Sequence, residues 1–235
     1  MRSGIPIGDL GGGVMGVIGV LAALQARTRT GRGQHVDISM QDAQISLLNY
    51  MATMHFLSGE VPGPLGNGHF VHVPYGTYPA ADGYVIIAII GDTFWRPLCQ
   101  VVGLPELDTE ENAHQPGRFR NRVAIEAALS ARLREKPKAH WLEALRGARI
   151  PCAPVNDLGE ALSDPHVLAR GMVVEVPHPN GATVRQPGNP IKLSATPGDT
   201  FTAPPLLGQH TREVLTSLAG LSEDDVTRLA AAGVV

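Results

Sequence analysis

The stretch Ile7-Gly8-Asp9-Leu10-Gly11-Gly12-Gly13 opens the most informative part of this 235-residue chain. An apolar run follows directly, and its members recur at the spacing of one helix face: Val14, Val17, Ile18, Leu21 and Leu24. The pattern predicts a buried helix over residues 14–27, with the glycine-rich stretch as a turn before it. Asp9 then lies at or just before the N-terminus of that helix, where free N–H groups and the helix dipole stabilise negative charge.

Two roles for Asp9 fit this position. An aspartate before an apolar periodic run is commonly an N-cap, and these residues alone favour that role. Alternatively, Asp9 is a nucleophile or base, and the backbone N–H groups of Gly11, Gly12 and Gly13 are donors to a developing oxyanion. Three consecutive glycines exceed what a cap requires, which indicates that another group approaches the backbone closely.

Composition narrows the classes of protein to which the chain can belong. The net charge is −3 and 17% of the residues are charged, which gives no basic surface for nucleic acid. We expect no membrane span, because the longest apolar run is short and rich in glycine, and we find no signal peptide. Cys99 and Cys152 form no metal or redox motif. We therefore expect reduced thiols in a cytoplasmic protein, with no metal and no permanently bound cofactor.

The segment after the first helix predicts one strand and one further helix. His35-Val36-Asp37-Ile38-Ser39 reads as a short strand, and Met40 to Leu57 reads as a helix. Ser39 with Asp42 three residues later predicts a cap for that helix. A helix, a strand and a helix in this order are typical of part of a doubly wound α/β layer.

The remaining chain predicts a linker and then a unit that mixes helices with strands. Residues 58–74 are rich in Pro and Gly and indicate a domain boundary. Within them, Gly66-Asn67-Gly68-His69 is either plain linker or a loop that approaches a ligand. Ala81-Asp82-Gly83 between apolar runs predicts a hairpin, whose second strand should be central and covered on both faces. Further signals predict a second hairpin and several capped helices: Pro179-Asn180-Gly181, Asn121, Asn156 or Asp157, Asp164 and Ser222.

Several segments together resemble CoA-transferase family III, the CaiB/BaiF-like group that also contains the α-methylacyl-CoA racemases. Each segment alone is a weak signal, but their order and spacing extend over nearly the whole chain. The segments are Arg2–Gly13, Thr30–Ala43, Gly66–His69, Pro74–Tyr84, Ile150–Asp157, Arg170–Met172 and Leu207–Thr211.

The resemblance implies that Asp9, in the Gly-Asp-x-x-x-Gly stretch, is the catalytic residue. In family members that transfer CoA, this carboxylate attacks the thioester of an acyl-CoA and gives a mixed anhydride and CoA thiolate. The thiolate attacks back to form an aspartyl-CoA thioester, from which an acceptor carboxylic acid takes the CoA. CoA and acyl-CoA are therefore substrates. The resemblance also makes Gly66, Asn67, Gly68 and His69 a candidate loop over the active site.

The resemblance further implies an α/β fold in several segments. Residues 1–60 correspond to the later part of a Rossmann-like large domain, and residues 61–71 to a linker. Residues 72–165 correspond to a small α+β domain, and residues 166–235 return to the large domain. Family members form interlocked dimers, so the expected partner is a second copy or a chain that supplies the N-terminal half.

The chain also departs from the family pattern. Full-length members are longer and begin with a Rossmann-like half that makes most of the CoA contacts, and we expect that half to come from elsewhere. In the racemases, a histidine of that half pairs with the aspartate, and a glutamate after the central strand supports it. Gly91, followed by Asp92, stands in the place of the glutamate. This favours CoA transfer over an acyl-CoA racemase fragment, and a non-catalytic remnant or partner-binding module is the third hypothesis.

Overall fold

A computed structural model describes residues 4–235, which divide into two compact units. The first ends at Phe70 and the second begins at Val71. We call them the N-terminal unit and the C-terminal unit and describe each by itself.

Three helices form the N-terminal unit. They are α1 (Ile7–Thr30), α2 (Met40–Leu47) and α3 (Tyr50–Ser58). α1 ends where Gly31 takes a left-handed conformation, with φ of 71°, which glycine adopts without steric cost. Ser39 caps α2 as predicted, because its Oγ accepts a hydrogen bond of 3.2 Å from the N–H of Asp42.

Two local predictions for this unit are wrong. Residues 32–39 form no strand, because a strand needs a neighbour to complete its hydrogen bonds and no segment of residues 4–70 pairs with this one. The single helix predicted from Met40 to Leu57 breaks at Asn49, whose φ is +49°. The predicted helix-strand-helix layer is therefore not formed within residues 4–70, and the Rossmann-like large domain stays a prediction.

α1 is longer and far more exposed than predicted. It begins at Ile7 rather than residue 14, so the glycine-rich stretch is helix and not a turn. Among residues 4–70 only Gly12 and Ala43 are buried, which corrects the expectation of a buried helix. By length and composition alone, α1 is also long and apolar enough to cross a bilayer, which corrects the expectation that this run is too short.

Some glycines of α1 pack closely against neighbouring residues, and others have open space at the position that a Cβ would take. A Cβ at Gly12 would lie 2.9 Å from Met40 Cγ, and one at Gly19 would lie 2.8 Å from Val36 Cγ1. These two glycines therefore allow residues 36–40 to pack closely against the helix backbone. A Cβ at Gly13 or Gly16 would meet nothing within 4 Å.

The C-terminal unit contains a three-stranded antiparallel sheet in the order β1-β2-β3. The strands are β1 (Tyr75–Ala80), β2 (Gly83–Ala88) and β3 (Cys152–Val155). Ala80 pairs with Gly83, which confirms the predicted hairpin, and β2 is central as predicted. Only one face of β2 is fully buried, since Val85 and Ile87 are covered while Tyr84 is exposed. The prediction of two covered faces is therefore wrong.

Four helices pack with this sheet around one core. They are α4 (Trp95–Val102), α5 (Gln115–Arg120), α6 (Arg122–Leu133) and α7 (Lys138–Gly147). α4, α6 and α7 each contribute apolar residues at helical spacing, because one face of such a helix must be apolar to be buried. α5 instead buries Gly117 and Arg118. The largest fully buried apolar side chains of this core are Trp95, Leu98, Ile125, Leu129, Leu133, Trp141, Leu145, Ile87 and Ile89.

The rest of the C-terminal unit consists of short elements. Two helices, α8 (Leu158–Ser163) and α9 (Pro165–Ala169), precede the hairpin of β4 (Val173–Pro177) and β5 (Thr183–Pro187). α10 (Thr211–Ser217) and α11 (Glu223–Ala231) complete the chain. Asp157 and Ser222 form the capping boxes of α8 and α11, which confirms both predicted caps. The assignment of residues 72–165 and 166–235 to separate domains stays a prediction.

Candidate active site

Asp9 lies in the first turn of α1, as the third residue of the helix. Pro6 occupies the position before the helix, and no side-chain hydrogen bond caps it. Asp9 is therefore not the N-cap, and the simpler of its two predicted roles is wrong. The side chain is exposed, and among residues 4–235 its carboxylate has no hydrogen bond or ion pair.

The backbone donors around Asp9 are those of the helix start. The N–H of Leu10 donates to the carbonyl of Pro6 at 3.0 Å, and the N–H of Ile7 donates to the carbonyl of Ile5 at 2.8 Å. The N–H groups of Gly8 and Asp9 have no backbone acceptor within the described chain. Since α1 is 24 residues long, its dipole adds positive potential at this end. Within the part of the chain that the structure describes, the site thus combines one available carboxylate with two available N–H donors.

The glycines predicted as oxyanion donors lie one turn further along the helix. In an α-helix each N–H donates to the carbonyl four residues earlier, so the N–H groups of Gly11, Gly12 and Gly13 have acceptors within α1. Among residues 4–235, the N–H groups at this end without a backbone acceptor are instead those of Gly8 and Asp9. The glycine run has a packing role: Met40 approaches Gly12, and Leu47 Cδ1 lies 3.5 Å from the position that a Cβ would take on Gly11. The sequence indicated such a close approach only in general terms.

Gln44 is a polar neighbour of this turn that the sequence analysis missed. Its Nε2 lies 3.0 Å from the position that a Cβ would take on Gly8. The same amide lies 3.4 Å from the carbonyl of Met40, one turn earlier in α2. Gln44 has no motif of its own in the sequence, and only the packing of α2 against α1 brings it here.

The loop from Gly66 to His69 folds back on the start of α3. Gly66 has a φ of +60°, and the N–H of Gly68 donates to the carbonyl of Leu65 at 3.0 Å. His69 Nε2 lies 3.1 Å from the Tyr50 hydroxyl, and its ring stacks on Phe70 at 4.6 Å. No hydrogen bond joins this loop to Asp9 in the described part of the N-terminal unit. Its role over the active site, including that of Asn67, stays a prediction.

A separate charged cluster in the C-terminal unit surrounds Arg118, whose side chain is 0% exposed. Its guanidinium donates to the carbonyls of Val73, Asn112 and Ala113 at 2.8 to 3.0 Å. It also donates to Asp92 Oδ1 at 2.6 Å, and its Cζ lies over the Trp95 ring, 5.2 Å from the ring centroid. No sequence signal pointed to Arg118, because a charged residue on a short helix is usually solvated.

Asp92 is fully engaged by this cluster. His114 Nδ1 hydrogen-bonds to its second oxygen at 2.9 Å. The hydrogen bond from His114, together with Arg118, holds the pKa of Asp92 below its ordinary value. A carboxylate so held is a weak base. This arrangement gives Asp92 a structural role. The neighbouring Gly91 has no side chain and so cannot support a catalytic histidine.

The two thiols are poor nucleophiles. Burial raises the pKa of Cys99 to about 12 and also raises the pKa of Cys152, and a protonated thiol is weakly nucleophilic. Both are free cysteines. Within residues 4–235, no three His, Cys, Asp or Glu side chains gather closely enough to hold a metal ion.

Comparison with known protein families gives a match over most of the chain. Residues 1–211 match the model of CoA-transferase family III. The acetyl-CoA:oxalate CoA-transferase of Acetobacter aceti is 35% identical over 192 residues, which are 81% of this chain and 48% of that protein. The succinyl-CoA:mesaconate CoA-transferase of Haloarcula marismortui is 36% identical over 91% of this chain and 54% of that protein.

A solved structure shows the same fold over a similar extent. The crystal structure of a CAIB/BAIF family protein from Brucella suis superposes with a TM-score of 0.78 at 30% identity. The match covers 93% of this chain and 57% of that one. The chain thus spans about half the length of the curated relatives it matches, and it shares the mixed α and β architecture of the solved family member.

Proposed function

Because this chain belongs to CoA-transferase family III, we propose that it carries the catalytic carboxylate of an enzyme that moves CoA from an acyl-CoA to a carboxylic acid. The observation that carries the proposal is the exposure and position of the Asp9 carboxylate. Its carboxylate is exposed in the first turn of a 24-residue helix, without a hydrogen bond or ion pair among the described residues. A carboxylate that capped the helix would not be available for attack.

The proposed reaction has four covalent steps that balance without any other reactant. Asp9 attacks the thioester carbonyl of the acyl-CoA, which releases CoA thiolate and forms a mixed anhydride. The thiolate attacks the Asp9 carbonyl of that anhydride, which releases the donor acid as a carboxylate and leaves an aspartyl-CoA thioester. The acceptor carboxylate attacks the aspartyl carbonyl of this thioester, which releases CoA thiolate and forms a second mixed anhydride. The thiolate then attacks the acceptor acyl carbonyl of that anhydride, which gives the acceptor acyl-CoA and releases Asp9 as a carboxylate. Covalent catalysis thereby divides one difficult exchange into easier steps.

The start of α1 supports these steps electrostatically. Each attack creates a tetrahedral oxyanion, which backbone N–H donors stabilise most when they are fixed before the reaction. The N–H groups of Gly8 and Asp9 are the candidates, because the N–H of Leu10 is already bound to Pro6. The positive end of the same dipole attracts the negative charge of Asp9 and lowers its nucleophilicity, so exclusion of water from the site must provide part of the activation.

The acceptor is expected to be a short dicarboxylic acid. The relatives act, by their names, on oxalate, glutarate and mesaconate. The racemase alternative is disfavoured, because Gly91 offers no carboxylate and Asp92 is bound to Arg118 and His114. We place the enzyme in the cytoplasm, in keeping with its free cysteines.

We further propose that activity requires the portion of the family's polypeptide that lies outside the region matched by this chain. The chain covers only 48% of the Acetobacter aceti relative. We call the chain together with a polypeptide carrying that other part the completed enzyme. The polypeptide is taken from the neighbouring coding sequence of the native locus or, where that is lacking, from the Acetobacter aceti relative. The family-implied interlocked dimer belongs to this proposal as well, and the isolated chain should show little or no turnover.

The test compares two aspartates that both lie in the first turn of a helix. CoA transfer by the completed enzyme is measured with acetyl-CoA and oxalate and with succinyl-CoA and glutarate. Asp9→Asn should lower kcat by roughly 10³-fold or more, since it removes the nucleophile. Asp42→Asn, in the first turn of α2, is the matched control and should retain the activity. Equal rates for Asp9→Asn and the unmodified enzyme would refute the proposal.

A further inference from the structure

The contact between α1 and α2 has a polar end at Gln44. At three glycines in the first two turns of α1, the nearest side chain comes from α2. At two of them that side chain is apolar and belongs to Met40 or Leu47. At Gly8, directly before Asp9, it is the amide of Gln44. An apolar side chain would fill this space as well, so packing alone does not require an amide beside Asp9.

The nitrogen of the Gln44 amide is turned toward Gly8. Nε2 lies 3.0 Å from the position that a Cβ would take on Gly8, while Oε1 lies 3.6 Å from it. The carbonyl of Met40 lies 3.4 Å from Nε2 and accepts from one of its two N–H groups. Among residues 4–235 the second N–H has no acceptor. The amide therefore keeps one donor available beside the first turn of α1.

The position of Gln44 brings this donor close to the reacting group of Asp9. Gly8 and Asp9 are consecutive, so their Cα atoms are about 3.8 Å apart. Because the Gln44 side chain is exposed, its amide can turn from Gly8 toward the carboxyl group of the next residue. Gly8 permits the approach, since any larger residue would place a Cβ closer to Nε2 than an ordinary contact.

We propose that the Gln44 amide donates a hydrogen bond to the oxyanion that forms on the Asp9 carbonyl. The inference rests on the proposed function, in which this oxyanion arises twice. When CoA thiolate attacks the aspartyl carbonyl of the first anhydride, a C–S bond forms and the carbonyl electron pair moves to oxygen. Collapse of this oxyanion breaks the C–O bond and expels the donor acid as a carboxylate. When the acceptor carboxylate attacks aspartyl-CoA, a C–O bond forms, and collapse breaks the C–S bond and expels the thiolate.

A neutral donor is suited to this role. Hydrogen bonds to a charged oxygen are stronger than those to a neutral carbonyl, so the amide binds the oxyanion more tightly than the anhydride or the thioester. Only such differential binding accelerates a step. The attacks on the donor and acceptor acyl groups place the oxyanion on a different carbon, beyond the anhydride oxygen and further from Gln44. The amide should therefore accelerate the two attacks on the aspartyl carbonyl and not the other two.

Two substitutions of Gln44 test the donor in the completed enzyme. Gln44→Leu removes the amide and keeps an apolar side chain in the contact, whereas Gln44→Glu keeps the shape and replaces the donor by an acceptor. With the substrate pair of the preceding test that is turned over faster, each should lower kcat by about 10²-fold, and the KM for the acyl-CoA should not rise. Gln41→Leu, at an exposed position of the same helix, is the control and should retain kcat.

The folded state of the variants is measured separately. Hydrogen exchange of the α1 amides should be the same in Gln44→Leu, Gln44→Glu and the unmodified chain, because neither substitution leaves the contact with Gly8 empty. Faster exchange in both Gln44 variants would assign the amide to packing and overturn the proposal.

The adduct on Asp9 separates an oxyanion donor from a structural role. The completed enzyme is mixed with acyl-CoA alone and quenched in acid within the first turnover, and the mass of the intact chain is measured. The unmodified enzyme should carry mainly CoA, as the aspartyl thioester. In Gln44→Leu the attack of the thiolate on the aspartyl carbonyl is slowed, so the chain should carry mainly the acyl group of the anhydride. A slower variant with an unchanged ratio of the two adducts would overturn the proposal.

The remaining outcomes distinguish this inference from the proposed function. Loss of activity in Asp9→Asn with full activity in both Gln44 variants would overturn the role of Gln44 and leave the function intact. Full activity in Asp9→Asn, or an assembly that neither transfers CoA nor forms an adduct, would refute the proposed function and this inference with it.

Discussion

The two units of this chain differ in how their apolar residues are covered. The C-terminal unit encloses Trp95, Leu129 and Trp141 in one core, each at about 1% exposure. The N-terminal unit buries only Gly12 and Ala43 among residues 4–70. Hydrophobic burial is the main favourable term in folding, so the C-terminal unit has an internal source of stability that the N-terminal unit lacks. The unit that carries Asp9 is therefore the one whose apolar residues are mostly uncovered among the described residues.

The largest effect should come from the buried arginine of the C-terminal unit. Arg118→Ala leaves Asp92 and the carbonyls of Val73, Asn112 and Ala113 without their donor. We expect a loss of about 3–5 kcal/mol in the free energy of unfolding. Urea denaturation followed by the fluorescence of Trp95 and Trp141 reports this unit alone, because both tryptophans lie in its core.

Arg120→Ala is the control for that measurement. Arg120 pairs with Glu111 at 3.5 Å on an exposed surface, and such pairs contribute about 0–1 kcal/mol. Similar losses for Arg118→Ala and Arg120→Ala would contradict the structural role of the buried cluster.

A pair of leucines tests the comparison between the units directly. Leu129→Ala removes a core side chain and should cost about 2–5 kcal/mol. Leu21→Ala makes the same chemical change on α1, where Leu21 is 60% exposed, and should change the unfolding free energy of the isolated chain by less than about 0.5 kcal/mol. A comparable loss at Leu21 would mean that α1 is already covered in the isolated chain, and the contrast between the units would fail.

Two adjacent glycines of α1 allow a packed position to be compared with an open one in the same helix. Gly12→Ala should destabilise the helix by roughly 1 kcal/mol, because the new methyl group would meet Met40. Gly13→Ala should stabilise α1 by about 0.5–1 kcal/mol through the better helix propensity of alanine. Hydrogen exchange of the α1 amides in the isolated chain measures both changes, and the same sign for both would contradict the described packing.

The smallest effect concerns the acid stability of the C-terminal unit. The folded pKa of Asp92 lies below its ordinary value of 3.8, so ionised Asp92 stabilises the folded unit above that pH. This contribution is lost as the pH falls from about 4 through the lower folded pKa. In urea titrations at decreasing pH, Asp92→Asn should lose less stability over that range than the unmodified chain. Asp199→Asn, at an exposed position, should behave like the unmodified chain.

Local signals in the sequence predicted much of the fold. The Asp82-Gly83 turn and the caps at Ser39, Asp157 and Ser222 are confirmed, because each depends on residues only a few positions apart. Residues 35–39 were wrongly predicted as a strand, since the pattern cannot tell whether a pairing partner exists. The periodicity of α1 correctly predicted a helix with an apolar face, but periodicity does not reveal what covers that face.

The sequence predicts Asp9 as the main residue of the candidate site, and its catalytic role stays a prediction, while the surroundings of Asp9 were not predicted. Asp9 was identified from its motif, while Gln44 reaches the same turn only through the packing of α2 against α1. The glycine run was read as a turn, because glycine is a poor helix former. In the structure Gly12 and Gly19 belong to the helix and serve its packing. Arg118 was missed because a charged residue on a short helix is usually solvated, and because two of its partners, Val73 and Asp92, are distant in sequence.

The most direct measurement is a hydroxylamine trap on the completed enzyme during turnover with succinyl-CoA. Hydroxylamine attacks anhydrides and thioesters, and mass spectrometry then locates the modified residue. The account predicts that the peptide containing Asp9 carries a hydroxamate and that Asp9→Asn abolishes the adduct. CoA transfer at full rate with no hydroxamate on Asp9 would contradict it.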